Sequence, residues 1–81
     1  MKTLNEWLED KHKSGNNYQK SMIQFALNFA SGGNVNDLCN AAAKGIKDGI
    51  NTGAYDRVSR LSNAVSLYRA YQLYVRRETS K

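Results

Sequence analysis

The sequence contains no proline, and its six glycines separate or interrupt stretches of helical periodicity. Because proline inside a helix removes a backbone hydrogen bond and usually ends the helix, its absence lets each stretch continue between glycine-containing segments. Apolar side chains recur every three or four residues in four such stretches, which predicts four α-helices. We therefore expect an all-α fold, a compact four-helix domain with a long C-terminal helix, in which residues 1–81 form one domain.

The first two predicted helices are bounded by recognisable start and stop signals. Thr3 and Glu6 match a capping box, and the first helix is predicted to end at Ser14-Gly15. The second helix is predicted to start near Asn17 and to stop at the segment Ser31-Gly32-Gly33. Its apolar stripe covers about half of the circumference, so we expect helix 2 to be the central one.

The third helix combines an apolar stripe with a row of small residues. Asn34 is its predicted cap, and Thr52-Gly53 its predicted end. The stripe is expected to face the core and contains Val35, Leu38, Cys39, Ala42, Ile46 and Ile50. Gly45 and Gly49 each cost about 1 kcal/mol relative to alanine in a helix interior. We expect the close approach of another helix to compensate for this cost.

The fourth helix is predicted to be the longest. It runs from about Tyr55 to Arg77, which corresponds to about 34 Å at 1.5 Å per residue. The other helices have roughly 10 to 15 residues by the same periodicity. We therefore expect the segment Tyr68–Arg77 to project beyond the bundle.

The net charge of +5 is unevenly distributed along the chain. In residues 1–40 the lysines are balanced by an equal number of acidic residues, so the excess lies entirely in residues 41–81. All five arginines fall in the last third. A segregated positive excess attracts polyanions, although a solvated basic surface without a partner has the same composition.

The segment from Leu67 to Arg77 interleaves three tyrosines with three arginines. Guanidinium groups bind phosphates through paired hydrogen bonds, and tyrosine rings can stack on unpaired bases. We therefore predict a nucleic-acid-binding protein, with RNA slightly favoured over DNA. The predicted phosphate contacts are first Arg69, Arg76, Arg77 and Lys81, and second Arg60, Lys44 and Lys47, with Tyr71 and Tyr74 as candidate stacking residues. Tyrosines at this spacing also suit a helical core, and that alternative stays open.

The residue inventory argues against catalysis. His12 lies between two lysines at a helix end, and Cys39 lies on an apolar stripe where a buried thiol is unreactive. One histidine and one cysteine supply too few ligands for a zinc site. Gly32-Gly33 lacks the preceding strand and the Lys-Ser/Thr of a phosphate-binding loop. We expect no enzymatic activity, no metal, no cofactor and no small-molecule substrate.

The single cysteine cannot form an internal disulfide, and the N-terminal segment lacks the apolar region of a secretory signal. The long uncharged stretch of residues 22–36 is too short and too polar to span a bilayer. We therefore expect a cytoplasmic protein without a membrane partner.

A protein partner is the alternative function. Leu67, Tyr71 and Tyr74 could remain uncovered once the core is filled, and tyrosine and arginine often anchor protein interfaces. This apolar face would serve a homodimer or the inhibition of a host protein. A helix-turn-helix built from helices 2 and 3 is a weaker expectation, because residues around the turn do not follow that motif's spacing.

In style the chain resembles the small accessory proteins of large tailed phages. The features that carry the resemblance are the helical start at Thr3, nine asparagines, the absence of proline and the basic end Arg76-Arg77-Glu78-Thr79-Ser80-Lys81. Some of these phage proteins are basic, RNA-associated inhibitors of host toxins. The resemblance implies a role in host takeover or counter-defence, and it transfers no functional residue to this chain.

Overall fold

Four α-helices make up the fold: α1 (Leu4–Ser14), α2 (Asn17–Ala30), α3 (Val35–Thr52) and α4 (Tyr55–Thr79). The computed structural model describes residues 1–31 and 33–80. Gly32, part of the predicted stop after helix 2, and Lys81, a predicted phosphate contact, lie outside the described residues. The predicted all-α, four-helix fold with a long C-terminal helix is confirmed.

Side-chain caps determine where the helices begin. Glu6 N–H donates to Thr3 Oγ1 over 3.2 Å, and Thr3 N–H donates to Glu6 Oε1 over 3.0 Å, as the capping box predicts. The same hydrogen bonds lower the pKa of the Glu6 carboxyl. A second box, between Asn16 and Gln19, starts α2 and was not predicted, whereas Asn34 caps α3 as expected. Each cap satisfies backbone donors that the first helical turn leaves without a partner.

α3 and α4 form an antiparallel hairpin that is closest at two glycines. A β-carbon built on Gly45 would lie 2.8 Å from Leu61 Cδ1, and one on Gly49 would lie 2.6 Å from Val58 Cγ2. Both distances are well inside the optimal separation of about 3.5–4.0 Å between carbon atoms. The expected close approach at Gly45 and Gly49 is therefore confirmed. Gly53, with φ of 77°, makes the left-handed turn between the two helices.

The core lies between α1, α2 and one side of the hairpin. Its fully or nearly buried members are Leu8, Ile23, Ala26, Ala30, Leu38, Ala64 and Tyr68. Tyr68 is the largest of them, and its hydroxyl donates to the Ala26 carbonyl over 2.6 Å. Burial raises the pKa of Tyr68 to about 12. α2 contacts all three other helices and supplies Ile23, Ala26 and Ala30 to the core, as predicted for a central helix, and α4, which packs along α3 and touches α1 and α2, shares that place.

The hairpin continues past the core at its turn end. α2 has 14 residues and approaches α4 around Asn63, whereas α3 has 18 and α4 has 25. Ile46 is therefore only half-buried, and Ile50 is 54 % exposed. The expectation that the whole stripe faces the core is therefore wrong for Ile50. The result is an elongated, flat molecule of 44 × 27 × 18 Å.

Candidate nucleic-acid interface

The C-terminal half of α4 packs against α1, which runs antiparallel to it. The Tyr71 hydroxyl donates to the Lys2 carbonyl over 2.9 Å, and the Lys2 backbone N–H donates to the Tyr74 hydroxyl over 2.9 Å. The prediction that Tyr68–Arg77 projects freely beyond the bundle is wrong.

Tyr71 and Tyr74 form an aromatic cluster with Trp7 of α1. The Trp7 and Tyr71 rings meet edge to face, with centroids 5.7 Å apart and planes at 64°. The Tyr74 ring lies 6.4 Å from Trp7 and 5.8 Å from Tyr71. All three side chains are half-buried, and burial raises the pKa of Tyr71. The cluster fixes both candidate stacking residues in one conformation and leaves part of each ring accessible.

A groove of about 480 Å³ lies between α1 and α4 beside this cluster. Its lining consists of Trp7, Lys11, Ala70, Leu73, Tyr74, Arg77 and Glu78. The Lys11 ammonium lies 4.6 Å from the Trp7 ring centroid, which is within range of a cation–π interaction. Two aromatic rings and two basic side chains thus border the same groove. Sequence reasoning missed Trp7 and Lys11 because no local pattern shows that α1 docks on α4.

Arg69, Arg76 and Arg77 are exposed on the same half of α4. Arg69 and Arg76 are seven residues apart, which places them nearly in line and about 10 Å apart along the helix axis. Arg77 lies about 100° further round and lines the α1–α4 groove. Leu73, 51 % exposed, lies between the arginines on the outer surface of the helix. The structure therefore brings together three of the four first-choice phosphate contacts.

The second-choice basic residues lie elsewhere. Arg60 is exposed near the start of α4, and Lys44 and Lys47 are exposed on the second half of α3. These three residues border the turn end of the hairpin and not the C-terminal half of α4. The structure does not bring them into the same surface as Arg76 and Arg77.

The ion pair of α1 lies away from the arginines of α4. An ion pair joins Lys2 and Asp10 near the start of α1, where the Lys2 ammonium lowers the pKa of Asp10. Arg69, Arg76 and Arg77 take no part in that ion pair. The three guanidinium groups of the C-terminal half of α4 therefore face solvent.

The apolar face proposed for a protein partner is largely occupied. Leu67 packs against the core cluster, and Tyr71 and Tyr74 pack against α1. Their half-burial leaves little free apolar area for docking. α2 and α3 touch only slightly, which does not resemble the closely packed pair of a helix-turn-helix.

Other kinds of site find no support in the described residues. Among them, no group of three or more histidine, cysteine, aspartate or glutamate side chains could hold a metal ion. No helix in that part of the chain is long and apolar enough to cross a bilayer. Comparison with protein-family models, with curated proteins and with solved structures gives no match.

Proposed function

We propose that this protein is a non-enzymatic nucleic-acid-binding protein that contacts phosphates through the C-terminal half of α4. The observation that carries the proposal is the set of three exposed arginine side chains, Arg69, Arg76 and Arg77, on the C-terminal half of α4. A guanidinium group can bind a phosphate through two parallel hydrogen bonds. Removal of counterions from the polyanion then supplies much of the binding free energy.

The aromatic groove beside the arginines favours single-stranded nucleic acid, with RNA slightly ahead of DNA. Unpaired bases can stack on accessible aromatic faces, and Trp7 and Tyr74 line the groove between Lys11 and Arg77. Tyr71, whose hydroxyl and ring are engaged with α1, supports the position of Trp7. In this arrangement the phosphate backbone of the nucleic acid lies along the arginines, and one base enters the groove.

A cytoplasmic setting is part of the proposal, since nucleic acid is the partner and Cys39 forms no internal disulfide. The resemblance to phage accessory proteins adds a biological context, the inhibition of a host defence or toxin system through bound RNA. Lys81 remains a candidate phosphate contact by sequence. Arg60, Lys44 and Lys47 would contribute to long-range attraction, because they lie outside the principal surface.

The test is fluorescence anisotropy with a labelled single-stranded RNA of mixed sequence and the matching DNA, over a series of salt concentrations. Three phosphate contacts predict a slope of log K against log[salt] of about −2 for a single strand. We expect the Arg76→Ala/Arg77→Ala variant to bind at least tenfold more weakly at moderate salt, with a slope shallower by about 1.4. Its thermal unfolding should match that of the parent, since both side chains are exposed.

A matched control removes the same charge elsewhere. Arg57→Ala/Lys13→Ala deletes two exposed cations from the start of α4 and from α1. We expect it to weaken binding by less than threefold, because only long-range attraction is lost. Equal losses for the two double variants would mean that net charge alone governs binding. Absence of binding by the parent protein at low salt would refute the proposal altogether.

A further inference from the structure

A second cavity, of about 440 Å³, lies where the end of α1 and the start of α2 meet the middle of α4. We call it the Tyr18 pocket, because Tyr18 is its aromatic residue. Met22 and Leu67 supply apolar side chains to the lining, and Gln19 and Asn63 supply amide groups. Both the volume and this mixture of apolar and polar groups are usual for ligand sites, which occupy about 300–1,000 Å³.

The Tyr18 pocket and the groove beside the aromatic cluster lie in line along the contact between α1 and α4. Lys11 lines both cavities. The lining residues of α1 recur every three or four positions and therefore share one side of that helix: Trp7, Lys11 and Ser14. The lining residues of α4 follow the same spacing: Asn63, Leu67, Ala70, Tyr74 and Arg77. The two cavities are therefore successive parts of one trough.

The trough is long enough for several nucleotides. Between Asn63 and Arg77, α4 advances by about 21 Å at 1.5 Å per residue. A stacked single strand advances about 3.4 Å per nucleotide, so about six nucleotides match this length. Arg77 at one end of the trough and Lys11 where the two cavities meet are exposed cations. Phosphates can therefore bind along the trough while bases turn into the cavities.

Tyr18 offers an accessible ring at the edge of its pocket. It is 65 % exposed, so the ring contributes little to the core, and an exposed aromatic face can stack on an unpaired base. Its position is fixed by the neighbouring capping box. Gln19 N–H donates to Asn16 Oδ1 over 2.9 Å, and Asn16 N–H donates to Gln19 Oε1 over 3.0 Å. The first turn of α2, which carries Tyr18, is thereby held beside the trough.

We propose that the Tyr18 pocket binds a second unpaired base of the same strand, which stacks on Tyr18. The proposal rests on the proposed function, because it needs a single strand that already enters the groove. One base then lies beside Trp7 and Tyr74, the following phosphates pass Lys11, and a later base lies between Tyr18 and Leu67. Bases paired in a duplex cannot turn into either cavity, so the trough selects single strands.

Two matched tyrosine variants of the full chain test the pocket. Tyr18→Ala and Tyr55→Ala remove rings that are 65 % and 69 % exposed, and neither substitution changes the charge. Tyr55 lies at the start of α4, beyond the Asn63 end of the trough. In fluorescence anisotropy with a labelled RNA of about eight nucleotides, we expect Tyr18→Ala to bind on the order of tenfold more weakly than the parent. Tyr55→Ala should bind with the affinity of the parent.

The length of the RNA provides a second readout. The affinity of the parent should rise with length until a strand of about six nucleotides reaches both cavities. A strand of about three nucleotides is too short to do so at the same rise per nucleotide. The affinity gained between the short and the long RNA should therefore be smaller for Tyr18→Ala than for Tyr55→Ala.

The fluorescence of Trp7, the single tryptophan, reports on the groove separately. RNA should quench it in both variants, since the groove keeps its lining, and both variants should retain the helical circular dichroism signal. Loss of this quenching in Tyr18→Ala would overturn the proposal, because the ring would then act through the groove. Equal affinities of the two variants would also overturn it and leave the proposed function standing. A parent protein that binds no RNA at low salt refutes both.

Discussion

Gly49→Leu is expected to lower the free energy of unfolding by about 2–3 kcal/mol, a large part of the stability of a chain this short. Even one added carbon at Gly49 would lie 2.6 Å from Val58 Cγ2 and 3.4 Å from the Ala54 carbonyl oxygen. Val58 is β-branched and has little rotamer freedom in a helix, so it cannot move aside cheaply. The helices must separate instead. Urea unfolding followed by circular dichroism at 222 nm measures the loss.

A change in the sign of the stability effect of Gly49→Ala distinguishes this clash from a general sensitivity of α3 to substitution. Gly49→Ala alone should be destabilising by about 1 kcal/mol, since the clash exceeds the gain in helix propensity. In a Val58→Ala background the obstructing methyl is absent, and Gly49→Ala should then stabilise by up to about 1 kcal/mol. Independent effects of the two substitutions would show that the glycine is not needed for close packing.

Tyr68→Ala is expected to have the largest effect of any single substitution, about 3–5 kcal/mol by comparison with other large aromatic residues. The ring is fully buried where α2 and α4 meet, and its hydroxyl bonds to the Ala26 carbonyl. Total stability for 81 residues is roughly 4–12 kcal/mol, so the variant should be partly unfolded at physiological temperature. Thermal unfolding monitored by circular dichroism measures the resulting decrease in the midpoint temperature of unfolding.

Tyr18→Ala serves as the control for Tyr68→Ala, because Tyr18 is 65 % exposed and should lose no more than about 0.5 kcal/mol. Tyr68→Phe keeps the ring and removes the hydroxyl, with an expected loss of about 1 kcal/mol. If Tyr68→Phe were as damaging as Tyr68→Ala, the hydrogen bond, and not the filled volume, would dominate at this position.

The local parts of the fold were predictable from the sequence because their causes are local. The Thr3–Glu6 box, the cap at Asn34 and the turn at Gly53 each depend on a few adjacent residues. The close approach of another helix at Gly45 and Gly49 was also predictable, because glycine inside a helix is destabilising and close packing compensates for that cost. The four helix ranges followed from these signals and from periodicity.

The arrangement of the helices was less predictable because periodicity identifies an apolar face without saying what covers it. Ile50 lies on a continuous stripe with Ala42 and Ile46, yet it is 54 % exposed whereas Ala42 is fully buried. Likewise, the tyrosines of α4 were expected to project, but α1 lies against them. The lengths of the helices and the directions of the loops decide which side chains are covered. No short sequence motif encodes the direction of a loop.

Of the candidate site, the sequence indicated the basic residues but not their surroundings. Arg69, Arg76 and Arg77 share one end of α4, as the spacing predicted, while Arg60 and the lysines of α3 lie apart from them. Trp7 and Lys11 join the site only through a contact between segments more than sixty residues apart. Their one sequence signal, a shared face on α1, gave no indication of their partner.

The hydrogen bonds between Lys2 and the two tyrosines have a consequence for biosynthesis. They join residues separated by 69 and 72 positions, so the contact between the start of α1 and α4 forms only after most of the chain has left the ribosome. The α1–α2 pair, whose contacts are close in sequence and which is synthesised first, can assemble earlier and receives the α3–α4 hairpin afterwards. Completion of the native structure is therefore a late event in synthesis, and until then Trp7 and its apolar neighbours are exposed to chaperones and proteases.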